Sequence, residues 1–218
     1  GVQTCALPIY PVMPIVLLLL VWLLIPSCSA PVHSTPGSVT VALDVPPTNM
    51  DPRIGTDATS ARLAELIFNG LVKTNDQFLI EPDLATTWET PDPNTFIFHL
   101  RQGVRFHDGR NFSARDVVYT FQSIRDGSIR TAKAGAYRDI DTVVASDDQT
   151  VVFKLKSRNA SFLLNLTSSV MGIVPEGSPA DFNKQPIGTG PFKFSSYIQD
   201  QQVTLTRNDD YFGAKPQV

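Results

Sequence analysis

No charged side chain occurs before Asp44, and within that stretch Val12–Ile25 is apolar throughout, interrupted only by Pro14. A helix needs about 20 apolar residues to cross the hydrocarbon, so this run has the length of a secretory h-region rather than of a permanent span. The folded body must therefore be built from the residues that follow. All 18 Lys+Arg and 21 Asp+Glu lie there, and their balance gives a formal charge of −3 and a pI near 5.6. No basic field exists for gripping a phosphate backbone, so nucleic acid is not an expected partner. With 42% hydrophobic and 18% charged residues, the chain is too apolar for intrinsic disorder. Two cysteines, Cys5 and Cys28, exclude a disulfide framework and a four-thiolate zinc site.

The junction after the apolar run is specific. Ile25-Pro26-Ser27-Cys28 resembles the lipobox of bacterial lipoproteins. That resemblance implies cleavage between Ser27 and Cys28 and a diacylglycerol on the Cys28 thiol, a tether worth ~0.8 kcal/mol per buried CH₂. Ordinary signal-peptide cleavage near Ser27–Ala30 is the alternative. A signal peptide should open on Lys or Arg, and none is present. Residues 1–9 resemble the in-frame translation of a sequencing adapter, which leaves 10–27 as signal peptide and Cys5 without a role. Residues 28–38 then form the lipidated cysteine and a small, polar, proline-containing linker, with His33 solvated in it.

Beyond the linker, short strands and helices alternate without a steady βαβ rhythm, which argues an α+β fold. Val39–Val45 reads as a strand, and Pro46–Pro52 as irregular, because proline removes ladder donors. Asp57 or Thr59 can cap a helix running to about Asn69, with Leu63, Ile67 and Leu71 on one face. Leu71–Thr74 and Gln77–Ile80 read as a hairpin, and Pro82–Glu89 as a helical turn burying Trp88. Thr95–Arg101 alternates as a strand with Phe96, Phe98 and Leu100 inward. Asp108-Gly109 is a turn between Val104–His107 and Arg110–Phe112. Ser113 and Asp116 start a helix with Val117, Phe121 and Ile124 inward. Residues 127–138 read as a surface loop, 141–145 and 150–156 as a hairpin, 161–168 as a short helix, and 171–174 as a buried strand. Phe192–Tyr197 and Gln202–Arg207 are the last two strands expected.

No catalytic or metal constellation emerges. His99 and His107 have no His or Cys partner at ligand spacing. Gly188-Thr-Gly190 lacks the Lys-Ser/Thr ending of a phosphate loop and reads as two positions of unusual backbone dihedral. There is no Gly-x-Ser-x-Gly elbow. No enzyme activity, cofactor or metal is expected.

Several blocks carry a family resemblance. They are Phe106-His-Asp-Gly-Arg-Asn-Phe-Ser-Ala-Arg-Asp-Val-Val-Tyr119, Leu66-Ile-Phe-Asn-Gly-Leu71, Pro82-Asp-Leu-Ala-Thr-Thr-Trp-Glu89, Phe96–Val104, Pro186-Ile-Gly-Thr-Gly-Pro-Phe192 and Arg207-Asn-Asp-Asp-Tyr-Phe212. In this order, over residues 39–218, they resemble the extracytoplasmic solute-binding proteins, family 5, of ABC importers for oligopeptides, dipeptides and nickel. The resemblance implies a periplasmic-binding-protein-like architecture of two α/β-like lobes closing on a ligand, of the peptide-binder subclass with an extra inserted domain. Residues 39–58 and 186–218 would belong to the first lobe and 59–185 to the insertion. The chain would be truncated before the second lobe, an amino-terminal fragment that binds no ligand measurably alone.

The implied role is capture of a peptide outside the bacterial cytoplasmic membrane and delivery to an ABC permease, by a lipid-anchored monomer. The resemblance also implies that Arg53–Ala58 lines the cleft. Thr56 and Asp57 are the candidates, with Asp57 either pairing with a ligand amino group or capping the following helix. Tyr137 would stack on the ligand or pack within its own domain. Nickel or nickel-chelate capture is the alternative within the family; a secreted hydrolase and a structural envelope lipoprotein are alternatives outside it.

Overall fold

The computed structural model describes residues 36–217, apart from 168, 169 and 180. The apolar run, the Ser27-Cys28 junction, His33 and the adapter-like start lie outside the described residues. No helix among the described residues is long and apolar enough to cross a membrane.

Two hydrophobic cores organise the body. The smaller sits under a three-stranded antiparallel sheet of β1 (Ser38–Ala42), β9 (Gln202–Arg207) and β8 (Phe192–Ile198), in the order β1-β9-β8. Val203 and Leu205 on the central strand are fully buried. Helix α1 (Ala58–Ile67) lays Leu63, Ala64 and Ile67 into the same core. It starts because the Asp57 side chain accepts the Ser60 amide at 2.9 Å, and it ends where Phe68 turns extended. The apolar stripe of α1 packs with Phe192 of β8 and with Val203 and Leu205 of β9.

The larger core lies under a four-stranded antiparallel sheet of β4 (Ala85–Asp92), β5 (Thr95–Leu100), β7 (Thr150–Leu155) and β6 (Ile140–Asp147), in the order β4-β5-β7-β6. Strand β5 buries Phe96, Phe98 and Leu100 as its alternation predicts. Helix α2 (Ala114–Arg125) covers that face with Val117, Phe121 and Ile124. The Asp116 carboxylate accepts the Ser113 amide at 2.8 Å and its hydroxyl at 3.1 Å, fixing the first turn. Aromatic edges interlock beneath: Phe121 lies 5.1 Å from Phe153, and Phe153 5.4 Å from Phe162.

Five sequence expectations are corrected here. The segment 82–89 is largely strand β4, not a helical turn; Ala85 pairs with Leu100 and Trp88 with Phe98, so Trp88 is only half-buried. The second arm of the early hairpin is β3 (Ile80–Pro82), pairing with β2 (Val72–Thr74). Asn75 accepts the amides of Gln77 and Leu79 and so lengthens the loop. Residues 127–138 are not all surface loop: Ala134–Tyr137 forms a short helix, α3, with Tyr137 buried. Residues 171–174 are buried but form no strand, and the helix expected at 161–168 is the single turn α4 (Phe162–Asn165).

Candidate functional site

The loop after β1 folds back on itself and forms one wall of a groove of about 550 Å³. Pro46–Met50 make that wall; Asn183–Gln185, Tyr197, Gln199 and Asp200 line the remainder. Pro46 and Pro47 have no N–H to satisfy, which suits a loop with an exposed backbone. The fold-back needs Gly55, because a Cβ there would stand 2.3 Å from the Asn49 carbonyl oxygen.

Both ends of the loop are tied. At one end the Asp57 carboxylate accepts the Thr48 amide at 3.1 Å, the Thr48 hydroxyl, the Ser60 amide at 2.9 Å and the Ser60 hydroxyl at 2.5 Å. Partial burial alone would raise this carboxyl. The hydrogen bonds from Ser60 and Thr48 outweigh it and hold Asp57 well below the usual carboxylate range. At the other end Asp51 and Arg53 form a buried ion pair, 2.7 Å between Nη2 and Oδ2. Arg53 Nη1 donates to Ser123 Oγ on α2 at 3.2 Å, and the guanidinium lies 5.6 Å from the Tyr119 ring centre. Lys133 Nζ donates to the carbonyls of Pro52 at 2.6 Å and Val170 at 2.8 Å.

The sequence-predicted candidates separate on this frame. Asp57 is the cap of α1 and the anchor of Thr48, and its acceptor positions face those partners. Asp57 also borders a second groove of about 390 Å³ between β1 and α1. Thr56 is exposed and lines neither groove. Tyr137 is 1% exposed, its hydroxyl donates to the Asn165 carbonyl at 2.8 Å, and its ring sits 5.3 Å from Phe121. Burial raises its phenol pKa above the ordinary value. The ring lies within the larger core. Sequence reading missed Pro46–Met50, although the double proline after a strand already marked that segment as irregular.

The sequence blocks themselves converge on one buried junction. His107 Nδ1 accepts the Gly188 amide at 3.2 Å and Nε2 bonds the Gly190 carbonyl at 3.0 Å. Burial pushes this imidazole down to about 4. Asn69 donates to both Asp83 oxygens, at 2.9 and 3.1 Å, and accepts from the Thr189 hydroxyl at 3.1 Å. Asn208 donates to the Gly190 carbonyl at 2.9 Å. Gly188 and Gly190 are needed for close approach rather than for unusual dihedrals. A Cβ at Gly188 would stand 1.9 Å from the Ile67 carbonyl oxygen, and one at Gly190 2.5 Å from the Ile67 carbonyl carbon. His99 meets Glu89 on the exposed sheet face at 2.9 Å. No group of three or more His, Cys, Asp or Glu among the described residues could hold a metal ion.

Comparison with known proteins agrees with this layout. Residues 80–218 match the model of bacterial extracellular solute-binding proteins, family 5 Middle. A Brucella ovis protein named for ABC transporter peptide binding is 36% identical over 195 residues, covering 84% of this chain and 37% of the relative. The oligopeptide-binding protein AppA of Bacillus subtilis, solved with a nonapeptide, superposes with a TM-score of 0.72 at 30% identity, covering 76% of this chain and 35% of that one. NikZ of Campylobacter jejuni, solved with Ni(L-His), gives 0.72 at 26% identity, covering 79% and 36%. The chain thus spans little more than a third of the length of the relatives it matches. It belongs to family 5 of the bacterial extracellular solute-binding proteins.

Proposed function

We propose that the protein carrying this chain is the substrate-binding component of an ABC importer, capturing short peptides outside the cytoplasmic membrane and passing them to a permease. The observation that carries the reading is the groove walled by Pro46–Met50, whose loop is tied at both ends by polar contacts, exposed at Thr48 and buried or half-buried at Arg53 and Pro52. A preorganised wall saves ordering cost when a ligand docks. Relatives named for peptide binding, AppA of Bacillus subtilis among them, support a peptide as the ligand. Cys28 carries the lipid that keeps this monomer at the membrane surface, after removal of residues 10–27. Residues 39–58 and 186–218, joined by α1, supply the ligand-facing part, and the four-stranded body is an insertion into it.

Expression of the complete reading frame in a bacterial host, followed by native purification, denaturation and mass spectrometry, tests the reading. Short peptides should be released, and titration with a pool of synthetic peptides of two to nine residues should give saturable heat. The NikZ likeness supports a second reading, a nickel–amino acid chelate. Release of nickel with free histidine, and no peptide, would replace the first reading by the second.

A further inference from the structure

Among the side chains that join the groove loop to the four-stranded body, Lys133 is the least expected. It stands in a segment with no core pattern, just before α3. Its half-buried ammonium spends two of its three donors on the carbonyls of Pro52 and Val170, at 2.6 and 2.8 Å. Pro52 directly precedes Arg53, and the amides of Ile54 and Gly55 both bond the Asp51 carbonyl at 2.9 Å. The turn at 51–55 is therefore a stiff unit, gripped from the body by Lys133 beside it and by Ser123 through Arg53. Burial lowers the Lys133 pKa, against the pull of Asp51. An ammonium that has given up water needs both carbonyls.

Resting on the peptide-capture reading, we propose that Lys133 is a positioning residue for ligand binding: by gripping Pro52 it fixes the groove wall Pro46–Met50 to the body that carries the four-stranded sheet. The insertion then has a mechanical task, which is to brace the wall against which the ligand closes. A wall freed by even an ångström loses preorganisation, and affinity falls on the order of tenfold.

The test compares the complete protein with Lys133→Met and Lys133→Arg. Hydrogen exchange reads the amides of residues 48–55 against those of 96–100 and 151–155, and calorimetry reads affinity for the synthetic peptide pool. Lys133→Met should speed exchange at 48–55 alone and weaken binding roughly tenfold. Lys133→Arg, whose guanidinium can span both carbonyls, should restore both. Exchange rising equally in all three segments would make Lys133 merely structural and overturn the proposal. Loosening at 48–55 with unchanged affinity would overturn it as well. Failure of the peptide-capture reading shows separately, as absence of heat in the unsubstituted protein, and exchange then still decides whether the brace exists.

Discussion

At the scale of single residues, two buried groups set opposing pH dependences. His107 titrates near 4 in the fold, below its ordinary 6.5, because burial disfavours the imidazolium and Nδ1 is committed to accepting the Gly188 amide. The unfolded chain binds the proton more readily, so this stabilisation is complete above about 6.5 and is lost as pH falls through 4. Asp83 runs the other way. Burial lifts it to about 6, although Asn69 donates to it. Its contribution is complete below the ordinary carboxylate pKa and is lost as pH rises through 6. Between pH 4 and 6 the two slopes oppose. Urea denaturation of residues 36–218 across that range should show a shallow dependence. Asp83→Asn should expose a stability that climbs with pH, and His107→Gln one that declines; identical slopes in both variants would refute the assignment. Tyr137 gives a simpler case. Tyr137→Phe deletes the bond to the Asn165 carbonyl and should cost about 1 kcal/mol. Peptide affinity of the complete protein should be unchanged, and a large loss of affinity would return Tyr137 to the ligand.

At the scale of elements, legibility followed the kind of physics involved. Strand β5 and helix α2 were readable because their periodicities are local and their inward residues, Phe96, Phe98, Phe121 and Ile124, all point to one core. Strand β4 was not. Its residues form a strand because β5 offers a partner edge, and nothing in Pro82–Glu89 announces that edge. Sequence marks Gly188 and Gly190 as special through backbone dihedrals, whereas the structure makes them special through close approach. Their φ values are ordinary, and what forbids a side chain is the backbone of α1, far away in sequence. The groove loop was legible only as irregular, since its shape is imposed by Asp57, Ser123 and Lys133. Two outcomes follow for these elements. Gly188→Ala drives a Cβ into the carbonyl of Ile67, a backbone atom that cannot swing aside, and should destabilise by roughly 3 kcal/mol or more. Asp57→Ala removes the α1 cap and the anchor of Thr48, and should cost about 1–2 kcal/mol. Thermal unfolding by circular dichroism measures both, and Gly188→Ala melting like the parent would contradict the close approach.

At the scale of the whole molecule, the sequence blocks that identify the family are the parts that weld the two cores. Asn69, Asp83, His107, Thr189 and Asn208 come from five blocks and meet in one hydrogen-bonded junction, while the groove wall lies outside every one of them. Family membership is therefore readable from the sequence in a way that ligand identity is not: the recognisable blocks build the junction, and none of them supplies the groove wall. The same division makes a prediction for the chain itself. Solute capture between lobes draws contact from two facing surfaces. The chain spans 37% of its Brucella relative and presents a groove walled by the Pro46–Met50 loop, the Asn183–Gln185 turn and the β8–β9 hairpin. Residues 36–218, folded and titrated with the synthetic peptide pool, should therefore show no saturable heat. Saturable heat at micromolar peptide would mean that the single wall suffices. Capture would then not require closure, and the brace at Lys133 would act on a site complete within this chain.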